Sequence, residues 1–149
     1  MRELLTIRTK GIDSTLRHPS REIKKIDAEI RELASELLAR LTPLGAIGLS
    51  APQFGENVQL FVIEMQGLKI VMLNPKLVKS KGIYRVHEGC TSIPGKMFMV
   101  QRPKLVKFKG IDLDGREFVA KGHDRLAQVL CHEVDHLKGV LIDALRSPI

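Results

Sequence analysis

Apolar residues in the first third of the chain fall at steps of three and four: Ile23, Ile26, Ile30, Leu33, Leu37 and Leu41. That spacing draws one stripe down a helix and predicts a long N-terminal helix over residues 20–41, with Ser20 or Asp27 as N-cap and Pro43 beyond its end. The middle of the chain reads as strands. Val58–Ile63 and Leu68–Leu73 are short apolar runs around Met65-Gln66-Gly67, the pattern of a hairpin, and Asn74-Pro75 should close the second run. Ile83–His87 is a further strand candidate. Lys104–Lys109 sets Leu105 and Phe108 among lysines as a half-exposed strand does, and Asp114-Gly115 turns it into Arg116–Lys121. Helical spacing returns over Asp124–Lys138 through Leu126, Val129, Leu130, Val134 and Leu137, with Asp124 as N-cap and Gly139 as the C′ residue.

The second helix carries chemistry. His132-Glu133-Val134-Asp135-His136 reads HExxH, and two imidazoles at i and i+4 project from one helix face, close enough to share a metal. Glu133 beside them is suited to take a proton from a water at that metal. A catalytic site needs a third protein ligand and an open position. The third His of a metzincin would fall at Ile142, and after Glu133 only Asp135 and Asp143 are acidic, so the third ligand must lie upstream. Cys90, His18, His87 and His123 are the candidates. Cys90 stands out because Glu88-Gly89-Cys90-Thr91-Ser92-Ile93-Pro94-Gly95 packs small and turn-forming residues around one thiol, as a tight loop presenting it to a site requires. A Cys/His/His set with an open position suits zinc or ferrous iron better than magnesium or calcium. Cys131, one step before His132, is turned about 100° from the ligand face and reads as a packing residue. The segment Gly45–Gly55 adds small residues that let another backbone approach, and Gln53 offers an amide donor for an oxyanion. The expected architecture is α+β, in one domain spanning residues 1–149: antiparallel sheets packed around a central helix carrying HExxH, with a long N-terminal helix.

Composition bounds this picture without changing it. A chain of 149 residues, 44% hydrophobic and 28% charged, can bury a core, which excludes disordered and low-complexity classes. No apolar run reaches the length of a membrane span, and the acid-containing start does not read as a signal peptide. Two cysteines cannot form a disulfide framework, so a reducing cytoplasm is expected. The net charge of +7 is spread as +2, +3 and +2 over residues 1–42, 43–100 and 101–149. With no basic tail, no Trp and one Tyr, direct nucleic-acid readout is not expected, and a mildly positive surface with weak attraction to a polyanion such as a ribosome is the plainer reading.

Three segments, in this order, resemble the peptide deformylases: Ala46-Ile47-Gly48-Leu49-Ser50-Ala51-Pro52-Gln53, Glu88-Gly89-Cys90-Thr91-Ser92 and Cys131-His132-Glu133-Val134-Asp135-His136. The similarity runs from about Asp13, in an IDSTLR start, to Leu145. The resemblance implies Cys90, His132 and His136 as metal ligands, Glu133 as base and then acid, and Gln53 with the Thr91 backbone N–H as oxyanion donors. It further implies Ile47, Gly48, Glu88 and Gly89 at the substrate site, where the peptide joins as an added strand and its methionine enters an apolar pocket. Fe²⁺ is the implied cofactor, with Zn²⁺, Ni²⁺ or Co²⁺ as substitutes, and N-formylmethionyl peptides are the implied substrates of a cytoplasmic monomer. The sequence departs from the family pattern at Ala46, Thr91 and Cys131. It also stops about ten residues past Gly139, which implies no C-terminal ribosome-docking helix and resembles phage-encoded members acting in a host cytoplasm. An HExxH zinc endopeptidase and a non-catalytic module binding peptide N-termini are the alternatives.

Overall fold

The computed structural model describes residues 2–6 and 15–145. Asp13, in the IDSTLR start, and the Ser147-Pro148-Ile149 end lie outside the described residues. Helix α1 runs Ala28–Arg40, and Asp27 caps it by accepting a 3.0 Å hydrogen bond from the Ile30 N–H. It is therefore thirteen residues long and not the 22 that the apolar stripe suggests. Residues 20–27 follow the helical period but have better partners elsewhere. Arg21 bridges to Val58, and the Asn74 side chain grips both sides of the Ile23 peptide unit, accepting from its N–H and donating to its carbonyl at 2.8 Å each. Tertiary pairing thus overrides a weak local preference.

Seven strands follow α1 and precede the second helix: β1 (Gly48–Ser50), β2 (Leu60–Met65), β3 (Leu68–Lys81), β4 (Tyr84–Cys90), β5 (Ile93–Arg102), β6 (Leu105–Ile111) and β7 (Glu117–His123). They form a five-stranded sheet in the order β1-β2-β3-β6-β7 and a two-stranded sheet β4-β5, with every adjacent pair antiparallel. Asn74-Pro75 does not end β3. Pairing with β2 stops at Leu73, and the register to β6 slips between Leu73 and Lys76, so Pro75 sits where no ladder donor is needed. Asn74 takes the left-handed conformation (φ +52°) that this bulge requires. Glu88 and Gly89, read from sequence as loop, are the last paired residues of β4 before Cys90, and β5 had no clear periodic signature.

The five-stranded sheet has a helix on each face. On one, Leu33 and Leu37 of α1 pack with Leu60, Val62 and Leu73; each such leucine, removed from water, contributes about 1.5–3 kcal/mol. On the other, helix α2 (Asp124–Leu137) buries Ala127, Leu130, Val134 and Leu137 against Phe61, Ile63, Met72, Val106 and Phe108. His123, not Asp124, is the N-cap of α2. Gly139 follows its end at φ +77°, where a Cβ would lie 2.7 Å from the Arg17 carbonyl carbon; the residue must be glycine for conformation and for space. No helix among the described residues is long and apolar enough to cross a membrane.

Asn74→Ala strands the buried Ile23 N–H and carbonyl and is expected to cost about 2–4 kcal/mol, read as a lowered urea midpoint at unchanged slope. A loss below about 0.5 kcal/mol would mean that the strap over residues 20–27 is held by something else.

Candidate active site

Three donor atoms converge where α2 meets the end of β4. The i, i+4 spacing brings His132 Nε2 and His136 Nε2 to 3.2 Å, and Cys90 Sγ lies 3.4 Å from His136 Nε2. All three atoms lie within 4.8 Å of one another, and among the described residues no other His, Cys, Asp or Glu group is so placed. His18, His87 and His123 are exposed and stand outside the cluster. Cys131 is half-buried against the α2 core cluster, and burial pushes its thiol up to about 11, so it stays a neutral packing group.

Two of the three donor side chains, Cys90 and His132, are oriented by a neighbour. Cys90 closes β4 at a register slip, and the Ser92 N–H donates to its sulfur at 3.4 Å. His132 Nδ1 lies 2.5 Å from Glu88 Oε1, which leaves Nε2 facing the cluster. Glu88 is 4% exposed and also takes a two-pronged contact from Arg102, Nη2 at 2.5 Å and Nε at 3.1 Å, while the other Arg102 nitrogen pairs with Asp135. Burial alone would raise the Glu88 carboxyl; hydrogen bonds from His132 and Arg102 overcome it and hold the group at about 2. Burial lowers His136 well below the ordinary histidine range, so its ring is neutral, and its Nδ1 is buried without a hydrogen-bond partner.

These residues fit a metal. Tetrahedral zinc or iron with bonds near 2.0–2.1 Å to nitrogen holds two such atoms about 3.3 Å apart, close to the spacing seen here. The three atoms are close enough to share one cation, and a thiolate with two imidazoles favours a borderline-soft one.

Glu133 lies beside the cluster, 3% exposed, with Oε1 buried and unpaired, and burial pushes it up to about 7. Gly48 of β1 presses directly on it, since a Cβ there would fall 2.6 Å from Glu133 Oε2. Gln53 is fixed in the single 3₁₀ turn Ala51–Phe54 after β1. Its carbonyl oxygen accepts from the Ser50 N–H (3.0 Å) and hydroxyl (3.2 Å), and its amide donates to the Thr91 hydroxyl (3.0 Å) and the Ser92 hydroxyl (3.1 Å). Leu5 ties both loops from outside: its N–H donates to the Gln53 carbonyl at 2.7 Å, and its own carbonyl accepts from the Ser92 hydroxyl at 2.7 Å.

A cleft of about 580 Å³ opens over these groups, walled by Ile47, Gly48, Gly89, Thr91, Met97 and Val129. Arg125 and Gln128 of α2 also line it, so the cavity is not purely apolar, and the Gln128 amide oxygen is buried without a partner. Every sequence-derived site residue thus borders the cleft or the cluster beneath it. Sequence reasoning missed Arg102, Leu5 and the polar wall. Arg102 gave no local signal, whereas Gln128 stands one helical turn before His132, a position that helical periodicity alone would place on the cleft face.

The chain is similar to known proteins along nearly its whole length. The family model described as polypeptide deformylase matches residues 1–148. A peptide deformylase of Dictyoglomus thermophilum is 37% identical over 130 residues, covering 87% of this chain and 85% of that protein. The peptide deformylase of Thermotoga maritima superposes with a TM-score of 0.92 at 26% identity, covering 99% of both chains. The Synechococcus elongatus enzyme, solved in complex with actinonin, gives 0.89 at 34% identity over 98% of this chain and 79% of that one. The chain belongs to the peptide deformylases, a family of hydrolases.

Proposed function

We propose that the chain, acting as a single catalytic domain over residues 1–149, removes the formyl group from the N-terminal formylmethionine of nascent polypeptides in the cytoplasm. The observation that carries this reading is the convergence of Cys90, His132 and His136 beside the unpaired carboxyl of Glu133. Those three side chains would hold the metal, Fe²⁺ by preference, with Zn²⁺, Ni²⁺ or Co²⁺ as substitutes. When bound, it supplies the Lewis acidity that makes water a nucleophile near neutral pH.

The chain's own residues do the rest. The exposed edge of β1, at Ile47 and Gly48, takes the substrate backbone as an added strand, with Gly89 of β4 opposite across the cleft. Glu133 accepts the proton of the attacking water as the new C–O bond forms and the formyl C=O electron pair moves onto oxygen; collapse of that oxyanion breaks the C–N bond while Glu133 returns the proton to the departing nitrogen, leaving formate and a free amine. The Gln53 amide and the Thr91 backbone N–H stabilise the oxygen that becomes anionic. Glu88 acts through His132 as a positioning group. The walls at Ile47, Met97 and Val129 receive the methionine side chain, with Arg125 and Gln128 adding polar contacts. The protein works as a monomer on nascent chains as they leave the ribosome.

Glu133→Gln should retain bound metal, by elemental analysis of protein prepared without oxygen, yet release formate from a formyl-Met-Ala peptide at least about 10²-fold more slowly. Full activity in that variant, or no formate from metal-loaded wild type, would sink the reading. Thr91 adds a second expectation. Its hydroxyl occupies one of the two Gln53 N–H groups that the reaction needs, so Thr91→Val should raise kcat/KM by about 2- to 10-fold, one weak hydrogen bond no longer having to be broken. A fall of similar size would assign the hydroxyl to holding Gln53 in place.

A further inference from the structure

Strand register gathers lysines that the sequence keeps apart. On the face of the large sheet where α1 packs, α1 covers only the end carrying Leu60, Val62, Leu73 and Ile111. The same face continues past it with Lys76 opposite Lys109, and with Lys79, Lys107 and Lys121 abreast on β3, β6 and β7; Lys81 stands at the far end. All but the half-buried Lys107 are exposed. Among the described residues, the ion pair on this patch is Lys109 with Glu117, at 2.7 Å between side chains 48% and 62% exposed. His123 and Val119 complete β7 on this side, and Leu105 lies between Lys81 and His123.

Like charges directly opposite each other across strands weaken a sheet. Lysines on an edge strand guard against aggregation, but Lys107 and Lys109 lie on β6, which is paired on both sides, so edge protection does not account for them. Alternate residues along a strand stand about 6.6 Å apart and neighbouring strands about 4.8 Å apart. The result is a cationic patch on one sheet face, with a spacing comparable to that of successive phosphates in a nucleic-acid strand. None of these residues lines the cleft. We propose that this lysine face docks the protein on the phosphate backbone of RNA, without sequence readout, and leaves the cleft uncovered.

The test uses the full chain, a mixed-sequence fluorescent RNA, and anisotropy titrations across salt concentration. Wild type should bind with a logarithmic salt slope of about −3 to −4, as five unpaired lysines releasing counterions require. The triple variant Lys79→Gln/Lys107→Gln/Lys121→Gln should bind at least about 10-fold more weakly, with the slope reduced by about 2. Its formate release from a short formyl peptide should be unchanged and its melting temperature at low salt higher, because the facing charges are gone. Lys24→Gln/Lys25→Gln/Lys69→Gln, which removes equal charge elsewhere, should bind as wild type does. The proposal falls if wild type fails to bind RNA at low salt, or if the two triple variants lose binding equally, which would make net charge the cause. It also falls if phosphatidylserine vesicles bind this face more tightly than RNA, which would make it a membrane surface.

Discussion

A carboxylate almost sealed from water stays ionised only if cations or donors surround it, and Glu88 meets that condition through Arg102 and His132 together. The rest of the site depends on this pairing. Glu88 belongs to β4, Arg102 to β5, and His132 and Asp135 to α2, so one buried network fixes the small sheet against the helix. Without it, Cys90 at the end of β4 has no set distance from the two imidazoles. Breaking such a network by removing one member leaves an uncompensated charge, which makes the arrangement sharply two-state.

The same economy appears around Glu133. The residue that would move the proton is kept dry by the backbone of β1, and Gly48 permits the approach because it has no side chain to collide with the carboxyl. The edge assigned to the peptide and the group assigned to the proton are therefore in van der Waals contact.

Much of this was legible in the residues because the strongest local signals coincide with the chemistry. The apolar period of Asp124–Lys138 gave α2 to within a residue at each end, and Gly139 marked its stop. HExxH placed two imidazoles on one face, and a small-residue run around Cys90 flagged the third donor. Failures came where long-range partners decide. Residues 20–27 have helical spacing yet lie extended because Asn74 and Val58 claim their backbone. Asn74-Pro75 reads as a stop, but a bulge absorbs it. Arg102 looks like any surface arginine until β5 turns it inward, and lysines scattered over residues 76–121 share one face only after β3, β6 and β7 align.

The Leu5 peptide, clasped by Gln53 on one side and Ser92 on the other, has a consequence for how the molecule comes into being. The groups it joins, with Glu88, Arg102 and the α2 histidines, are drawn from nearly the whole length of the chain; Ser92 and Leu5 alone are 87 positions apart. Nothing local foreshadows this centre. Contacts so distant in sequence form late, after loop closure has been overcome, and chains rich in them fold slowly. The Cys90 thiol thus meets its two histidine neighbours only late in folding, when β4 has closed on α2.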